Sequence, residues 1–463
     1  MSDRCRRAIL LTVDSLRADA LGCYGSATAT PNLDRLAGES VRYARAFASG
    51  ARTMQSFPGI LASNYPTTGG AIQSLGGRTS VAECFQRAGF QTAAFHSNPV
   101  VSRWMGYGRG FDTFWDSMPS ETRAPENPRG AGSRVARVMA RRCPRLFGGV
   151  RRVYRHLFCR SIPAGEAHEP AETTTARATR WLEQAGDRWF LWLHYMDPHY
   201  PYGARLSHLA EGRRRAAMAL FRKATRTPHR LGREDLAELR RLYGEEVGYL
   251  DRWLGELFGF LRDHGLWDDL VLCFTSDHGD AFMEHGMFGH GELLYDELIR
   301  VPLMLKAPGL APQVEPGPAS LLDVSPTLVG LAGLEAPAAF EGRSLLGGPC
   351  RECAFAETAY RMFVSATPHR AAACAREWKL IRDLERGRDE LYHVTTDPAE
   401  ARPVNDAHPA ELRAMSELLE QHLNRSRPTV APCGEQPVLS DGERDVLTAR
   451  LRALGYLDDA DGP

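Results

Sequence analysis

Two short stretches of this sequence end in side chains that hold metals. The apolar run Ala8-Ile9-Leu10-Leu11-Thr12-Val13 leads into Asp14, and Leu270 to Thr275 leads into Ser276-Asp277-His278-Gly279-Asp280. Carboxylate oxygens and an imidazole nitrogen together suit divalent cations. In parallel α/β sheets such groups gather at the carboxyl ends of strands, where loops present them without disturbing the ladder. Taken alone, Asp277-His278-Gly279 reads equally as a solvated turn, because Asp and Gly favour turns. Cys350-Arg351-Glu352-Cys353 has the spacing of a zinc or redox pair, but no second cysteine pair or nearby histidine pair completes it, so no metal is expected there.

The elements that would position Asp14 and Asp277 follow from hydrophobic patterning. Short apolar runs bounded by turn residues alternate with helical periodicity, which predicts βαβ units and a large, mostly parallel sheet flanked by helices. Strands are predicted at 8–13, 91–96, 190–194, 270–275 and 303–306. Helices are predicted from Pro31 through Ala37, from Ser80 to Ala88, from Thr173 to Gln184 and from about Glu234 to His264, with a short one from Ser325 to Leu331. After about residue 350 the pattern changes to short strands at 371–375, 378–381 and 390–393, then a helix at 410–423, which reads as a small C-terminal α+β subdomain. The expected organisation is a catalytic domain over 1–349, with a basic insertion at 120–170 and a helical one at 203–233, then the subdomain at 350–430. A tail at 431–463 carries a last helix.

Composition narrows the function classes. With 43% hydrophobic and 25% charged residues among 463, the chain is an ordinary globular one, neither disordered nor fibrous. No segment approaches the ~20 apolar residues of a membrane span, and no export signal is recognised, so a cytoplasmic protein with reduced cysteines is expected. The formal net charge of zero hides an asymmetry: residues 127–165 hold ten arginines and no acid, leaving 47 basic against 57 acidic side chains elsewhere. Those arginines alternate with apolar residues at roughly helical spacing, so the segment is read as a basic surface for an anionic membrane, at the inner membrane face, or for an anionic substrate, or else as an insertion packed over the main domain. No nucleic-acid module accompanies it. Oligomeric state is not legible.

Longer stretches carry a resemblance. Leu11-Thr12-Val13-Asp14-Ser15-Leu16-Arg17-Ala18-Asp19, Gly22-Cys23-Tyr24-Gly25, Thr30-Pro31-Asn32-Leu33-Asp34-Arg35-Leu36-Ala37, Asp197-Pro198-His199-Tyr200-Pro201-Tyr202 and Thr275-Ser276-Asp277-His278-Gly279 resemble the sulfatase family of the alkaline phosphatase superfamily, in the same order. Tyr295 to Pro302, Glu390-Leu391-Tyr392 and Asp397-Pro398 extend the likeness, which covers about Arg7 to Leu423.

The resemblance implies one divalent metal held by Asp14, Asp277 and His278, with the nucleophile as a further ligand. Sulfatases place a cysteine or serine in a Cys/Ser-x-Pro-x-Arg segment and oxidise it to formylglycine. Here the stretch reads Thr53-Met54-Gln55-Ser56-Phe57-Pro58, so Thr53 stands in the nucleophile position and its extra methyl prevents formation of an aldehyde. No formylglycine is therefore expected. Ser15 stands where a second acid is usual, and His278 where asparagine is common. Fewer carboxylates and an imidazole favour Mn²⁺ or Zn²⁺ over Ca²⁺ or Mg²⁺. His199 and His290 are expected to contact the transferred group or protonate the leaving oxygen, and Asn98 and His194 to contact the substrate. The leading expectation is a hydrolase or transferase of anionic phosphate or phosphonate esters acting through Thr53. The alternatives are a sulfuric ester hydrolase using threonine directly, and a noncatalytic scaffold binding an anionic glycan or lipid.

Overall fold

The central strands form because their sequences are apolar toward both faces. In the computed structural model, β1 (Arg7–Val13), β5 (Trp189–Tyr195) and β6 (Leu270–Ser276) are buried along nearly their whole length, as parallel strands covered by helices on each side must be. The structure describes residues 5–68, 74–118, 168–203, 209–348, 351–359, 368–428 and 441–453. The arginine-rich segment and Cys350 lie outside the described residues.

Nine strands make the main sheet. With β2 (Val41–Phe47), β3 (Gln91–Phe95), β4 (Thr113–Trp115), β10 (Leu303–Lys306) and β11 (Gln313–Ser320), the order is β11-β2-β10-β6-β1-β5-β3-β4. A short β9 (Arg300–Val301) pairs with β2, and β7 (Ala281–Phe282) with β8 (Phe288–Gly289) forms a separate ribbon. The β1, β5, β6, β3 and β4 pairings are parallel, whereas β10 runs antiparallel to both β6 and β2. Val13 lies opposite both Tyr195 and Ser276 in this register. Asp14 and Asp277 therefore leave the sheet side by side, the first donating its N–H to Tyr195 O and the second to Val13 O.

Alternation along β1 feeds two cores. Ile9, Leu11 and Val13 pack under α4 (Ala171–Leu182) and the long α6 (Arg233–Asp263), whose Leu239, Leu242, Val247, Leu250, Leu254, Leu257, Phe258 and Leu261 are all buried at the predicted helical spacing. α1 (Pro31–Gly38) and α5 (Glu211–Arg226) lie on the same side. Ala8 and Leu10 face the opposite way, toward Phe57 and Ile60 of α2 (Thr53–Ala62), Phe85 of α3 (Val81–Arg87) and Leu328 of α8 (Val324–Leu331). α3 starts where its sequence says it should: Ser80 Oγ accepts from Glu83 N at 3.1 Å while Glu83 Oε2 accepts from Ser80 N at 2.9 Å.

The one-turn helix α7 (Asp296–Ile299) leads from the site loops back to β9. Beyond it, β12 (Ala354–Ala359), β13 (Pro368–Cys374), β14 (Trp378–Asp383) and β15 (Arg388–His393) form an antiparallel sheet in sequential order. It is covered by Met415 and Leu419 of α9 (Pro409–Asn424). The last described helix, α10 (Asp441–Ala453), sets Leu447 and Leu451 against Met54, Val100, Trp104, Met118 and Met196. Among the described residues no helix is long and apolar enough to cross a membrane.

Candidate metal centre at the sheet's carboxyl edge

Asp14 turns sharply off β1. Ser15 sits in the left-handed region at φ 59, a strained backbone for a side chain with a Cβ. Three bonds hold it there: Ser15 N to Asp277 Oδ1 (3.2 Å), Tyr243 Oη to Ser15 O (2.9 Å) and Ser15 Oγ to Asp14 Oδ1 (2.8 Å). The turn thus binds the two strand ends to each other.

Thr53 is the first residue of α2, fully buried, and its Oγ1 lies 3.4 Å from Asp14 Oδ2 and 3.3 Å from His278 Nε2. Asp14, Asp277 and His278 each offer a ligand atom, and these atoms lie within 4.8 Å of one another. His278 Nδ1 lies 2.9 Å from Gly279 O, so Nδ1 carries the proton and the Nε2 lone pair faces the carboxylates. Asp277 Oδ1 accepts from Ser15 N and, at 2.9 Å, from His278 N, whereas Oδ2 is buried with no hydrogen-bond partner, 3.6 Å from His278 Nε2. Neither carboxylate has a lysine or arginine partner among the described residues. The electrostatics reflect this. Burial, with the charge of Asp14 adding to it, pushes the Asp277 carboxyl well above the usual range. Against the same burial, His199, His194 and His278 hold Asp14 well below it. Two converging carboxylates, one unpartnered oxygen and an imidazole lone pair fit a divalent cation.

A second tier surrounds the cluster. Asn98 donates Nδ2 to Asp14 Oδ2 at 2.8 Å, and its Oδ1 accepts from Val100 N at 2.9 Å. His194 is fully buried, with Nε2 3.6 Å from Asp14 Oδ2 and Nδ1 3.1 Å from Thr12 Oγ1, which also accepts from Trp192 Nε1 at 3.0 Å. Both side chains expected at the substrate are thus directed at Asp14, and Asn98 spends both its polar groups within the protein. His199 Nδ1 bonds Tyr200 O at 2.6 Å, and its ring centroid is 5.2 Å from that of His290. The His290 ring lies tilted against His278, with centroids 4.4 Å apart. His290 Nδ1 is 2.9 Å from Asp280 Oδ1, while Tyr202 Oη donates to Asp280 Oδ2 at 2.5 Å. Burial, then the neighbouring His278 and His199, hold His290 well below the usual imidazole range, and burial lifts Asp280 to about 7.

Three residues of this site carry no expectation from the sequence. Asp280 and Tyr202 fall inside recognised motifs and are visible there as the polar ends of those segments. Arg52 precedes Thr53 in Gly50-Ala51-Arg52-Thr53, where its only signal is a basic residue flanking the nucleophile position.

Comparisons with known proteins agree with this architecture. Residues 6–334 match the Sulfatase family, and residues 283–428 match the family described as N-sulphoglucosamine sulphohydrolase, C-terminal. The chain is 24% identical over 453 residues to the uncharacterized sulfatase YidJ of Escherichia coli (strain K12), covering 90% of this chain and 87% of that protein. It is 32% identical over 157 residues to the multifunctional alkaline phosphatase superfamily protein PehA of Trinickia caryophylli, covering 33% of this chain and 28% of PehA. Against two further relatives the aligned stretch spans 20% and 37% of their own length. Among solved structures, the phosphonate monoester hydrolase of Agrobacterium radiobacter superposes with a TM-score of 0.65 at 20% identity, over 90% of this chain and 95% of that one.

Proposed function

Since the chain belongs to the sulfatase family of the alkaline phosphatase superfamily, we propose that it is a metal-dependent ester hydrolase or transferase. Its substrates are phosphate or phosphonate esters, and Thr53 is the nucleophile. One observation carries the reading: Thr53 Oγ1 stands at the amino end of α2, within 3.4 Å of both Asp14 Oδ2 and His278 Nε2. A noncatalytic scaffold has no need of a buried hydroxyl at the focus of three ligating side chains.

Asp14, Asp277 and His278 would hold the cation, with Mn²⁺ or Zn²⁺ preferred for the imidazole. When bound, such an ion supplies a lowered pKa at the Thr53 hydroxyl, whose proton is released to solvent, and polarises the ester oxygen. The chain's own groups do the rest. Asn98 and His194 fix Asp14, and Gly279 O fixes the tautomer of His278. Thr53 Oγ1 forms a bond to phosphorus as the ester oxygen leaves. His199, its Nδ1 tied to Tyr200 O, presents Nε2 as the acid that protonates the leaving oxygen. The neutral imidazole then takes a proton from water or an alcohol as that acceptor displaces the phosphoryl group from Thr53. His290, oriented by Asp280, contacts the transferred group.

Phosphorus is preferred to sulfur because threonine cannot become an aldehyde, which leaves simple transesterification. A cytoplasmic location is part of the same reading, supported by the free thiols of Cys5, Cys23, Cys84, Cys273, Cys353 and Cys374. The test is a panel of aryl sulfate, phosphate monoester, phosphate diester and phosphonate ester, on metal-free protein restored separately with Mn²⁺, Zn²⁺, Mg²⁺ and Ca²⁺. Diester or phosphonate turnover with Mn²⁺ or Zn²⁺ is expected. Turnover confined to aryl sulfate would overturn the phosphorus assignment.

A further inference from the structure

Among the described residues Arg52 makes no ion pair, although its charge helps His369 hold the Glu292 carboxyl below the usual range. Its Nε is buried with no hydrogen-bond partner, and no acid lies within ion-pair distance of it among the described residues. An orphaned Nε is shared by Arg45, Arg78 and Arg300, so position and not the orphan alone sets Arg52 apart. Arg17, by contrast, is held by Asp19 and Glu284, each at 2.7 Å, and Arg370 lies 3.4 Å from Asp383. The nearby Glu292 is taken by His369 at 3.4 Å. A buried guanidinium nitrogen left unpaired is costly unless a ligand completes it.

The placement says which ligand. Arg52 is joined to Thr53 by the chain, and its Nη2 reaches Gly291, where an added Cβ would lie 4.0 Å from it. Gly291 follows His290, whose ring lies against that of His278. The arginine therefore runs along one wall of the site, from the nucleophile to the imidazole on the far side, and its charge is felt by Tyr200 and His290. On the other flank of Thr53, Phe57 is fully buried with its ring against Tyr107, Trp192 and His194, so that turn of α2 offers no cation.

We propose that Arg52 is a substrate-binding residue whose guanidinium donates to a non-bridging oxygen of the phosphoryl or phosphonyl group attacked by Thr53. The assignment rests on the reading of the site as one for anionic esters. A guanidinium suits this work because its rigid fork can donate two parallel bonds to such an oxyanion, which an ammonium cannot.

The test separates binding from turnover. Inorganic phosphate is titrated into Mn²⁺-loaded wild-type protein and into Arg52→Gln and Arg52→Lys variants by calorimetry, with metal content and melting temperature measured alongside. Arg52→Gln should bind phosphate at least about tenfold more weakly, with unchanged metal content and melting, and Arg52→Lys should recover part of the loss. If Arg52→Gln unfolds, Arg52→Lys alone carries the comparison and should still bind more weakly than wild type. Equal affinity in wild type and the folded variants, or no phosphate binding by wild type, would overturn the assignment. Arg52-dependent phosphate binding by a protein that turns over no ester would leave Arg52 as an anion contact and remove the proposed activity instead.

Discussion

Two buried clusters of charge in this molecule are built on opposite terms. At the junction of the small sheet and α7, Lys379 is fully buried with its Nζ 2.7 Å from Asp296 Oδ1 and 2.8 Å from Glu400 Oε1, and Arg45 adds a second cation 3.7 Å from Asp296 Oδ2. Two carboxylates meet two cations, and the cluster is closed by the protein itself. At the carboxyl edge of the main sheet, Asp14 and Asp277 are equally buried and, among the described residues, face imidazoles, the hydroxyls of Ser15 and Thr53, the side-chain amide of Asn98 and backbone amides, but no lysine or arginine. The first arrangement fastens the small sheet to the loop before β9. The second leaves a deficit of positive charge that a divalent ion would fill. Burial alone does not mark a functional site; burial with uncompensated charge does.

The largest effect that would break this contrast is on turnover. His199→Ala should slow esters with poor leaving groups by about 10²–10⁴-fold and activated aryl esters far less, because only the former need a proton. Equal losses across leaving groups in steady-state assays would remove His199 as the acid. In the closed cluster, Lys379→Met leaves two buried carboxylates with Arg45 alone, 3.7 Å from Asp296, and should cost about 3–5 kcal/mol in denaturant unfolding. Its metal content should match wild type if the two clusters are independent. The open cluster should respond in the opposite sense. Asp277→Asn removes a carboxylate that burial and Asp14 already disfavour, so the metal-free variant should be more stable than metal-free wild type by roughly 1 kcal/mol, while metal occupancy by elemental analysis falls. A destabilised metal-free Asp277→Asn would show that the protein balances those charges without an ion.

The smallest effect concerns a buried acid outside both clusters. Glu357 bonds His422 at 2.7 Å and Arg427 at 2.5 Å. Although burial works to raise its pKa, these partners hold it at about 2, against 4.5 for a free glutamate. Its contribution to stability is complete above pH 4.5 and is lost as the pH falls toward 2. Glu357→Gln should therefore flatten the acid limb of a stability-against-pH curve over that window, and an unchanged limb would remove Glu357 from the account.

How much of this was legible depended on whether the information was local. β1, β5 and β6 announce themselves as continuous apolar runs, and α6 by its spacing, because both patterns are set by near neighbours in sequence. β2 reads Val-Arg-Tyr-Ala-Arg-Ala-Phe, and its two arginines mask a strand that is interior only by virtue of β10 and β11 on either side. β11 contains Pro316, Gly317 and Pro318. It is a strand only because it is an edge, with its register broken between Glu315 and Pro318. The site divides in the same way. Asp14, Asp277 and His278 stand at strand ends that the sequence shows, and Thr53 follows from the motif order. That Asn98 and His194 point at Asp14 depends on three strands lying side by side, and Arg52 belongs to no motif.

The central claim is covalent chemistry at Thr53, and one measurement addresses it directly. An activated aryl phosphodiester or phosphonate ester is mixed with metal-loaded His199→Ala protein, the reaction is quenched, and the digest is read by mass spectrometry. The account predicts a burst of aryl alcohol approaching one equivalent per chain, with the phosphoryl or phosphonyl group on the peptide containing Thr53. Thr53→Ser should keep both signals, and Thr53→Ala should show neither. A Thr53→Ala protein with near-normal turnover would contradict the account, because water would then be attacking the ester without the threonine.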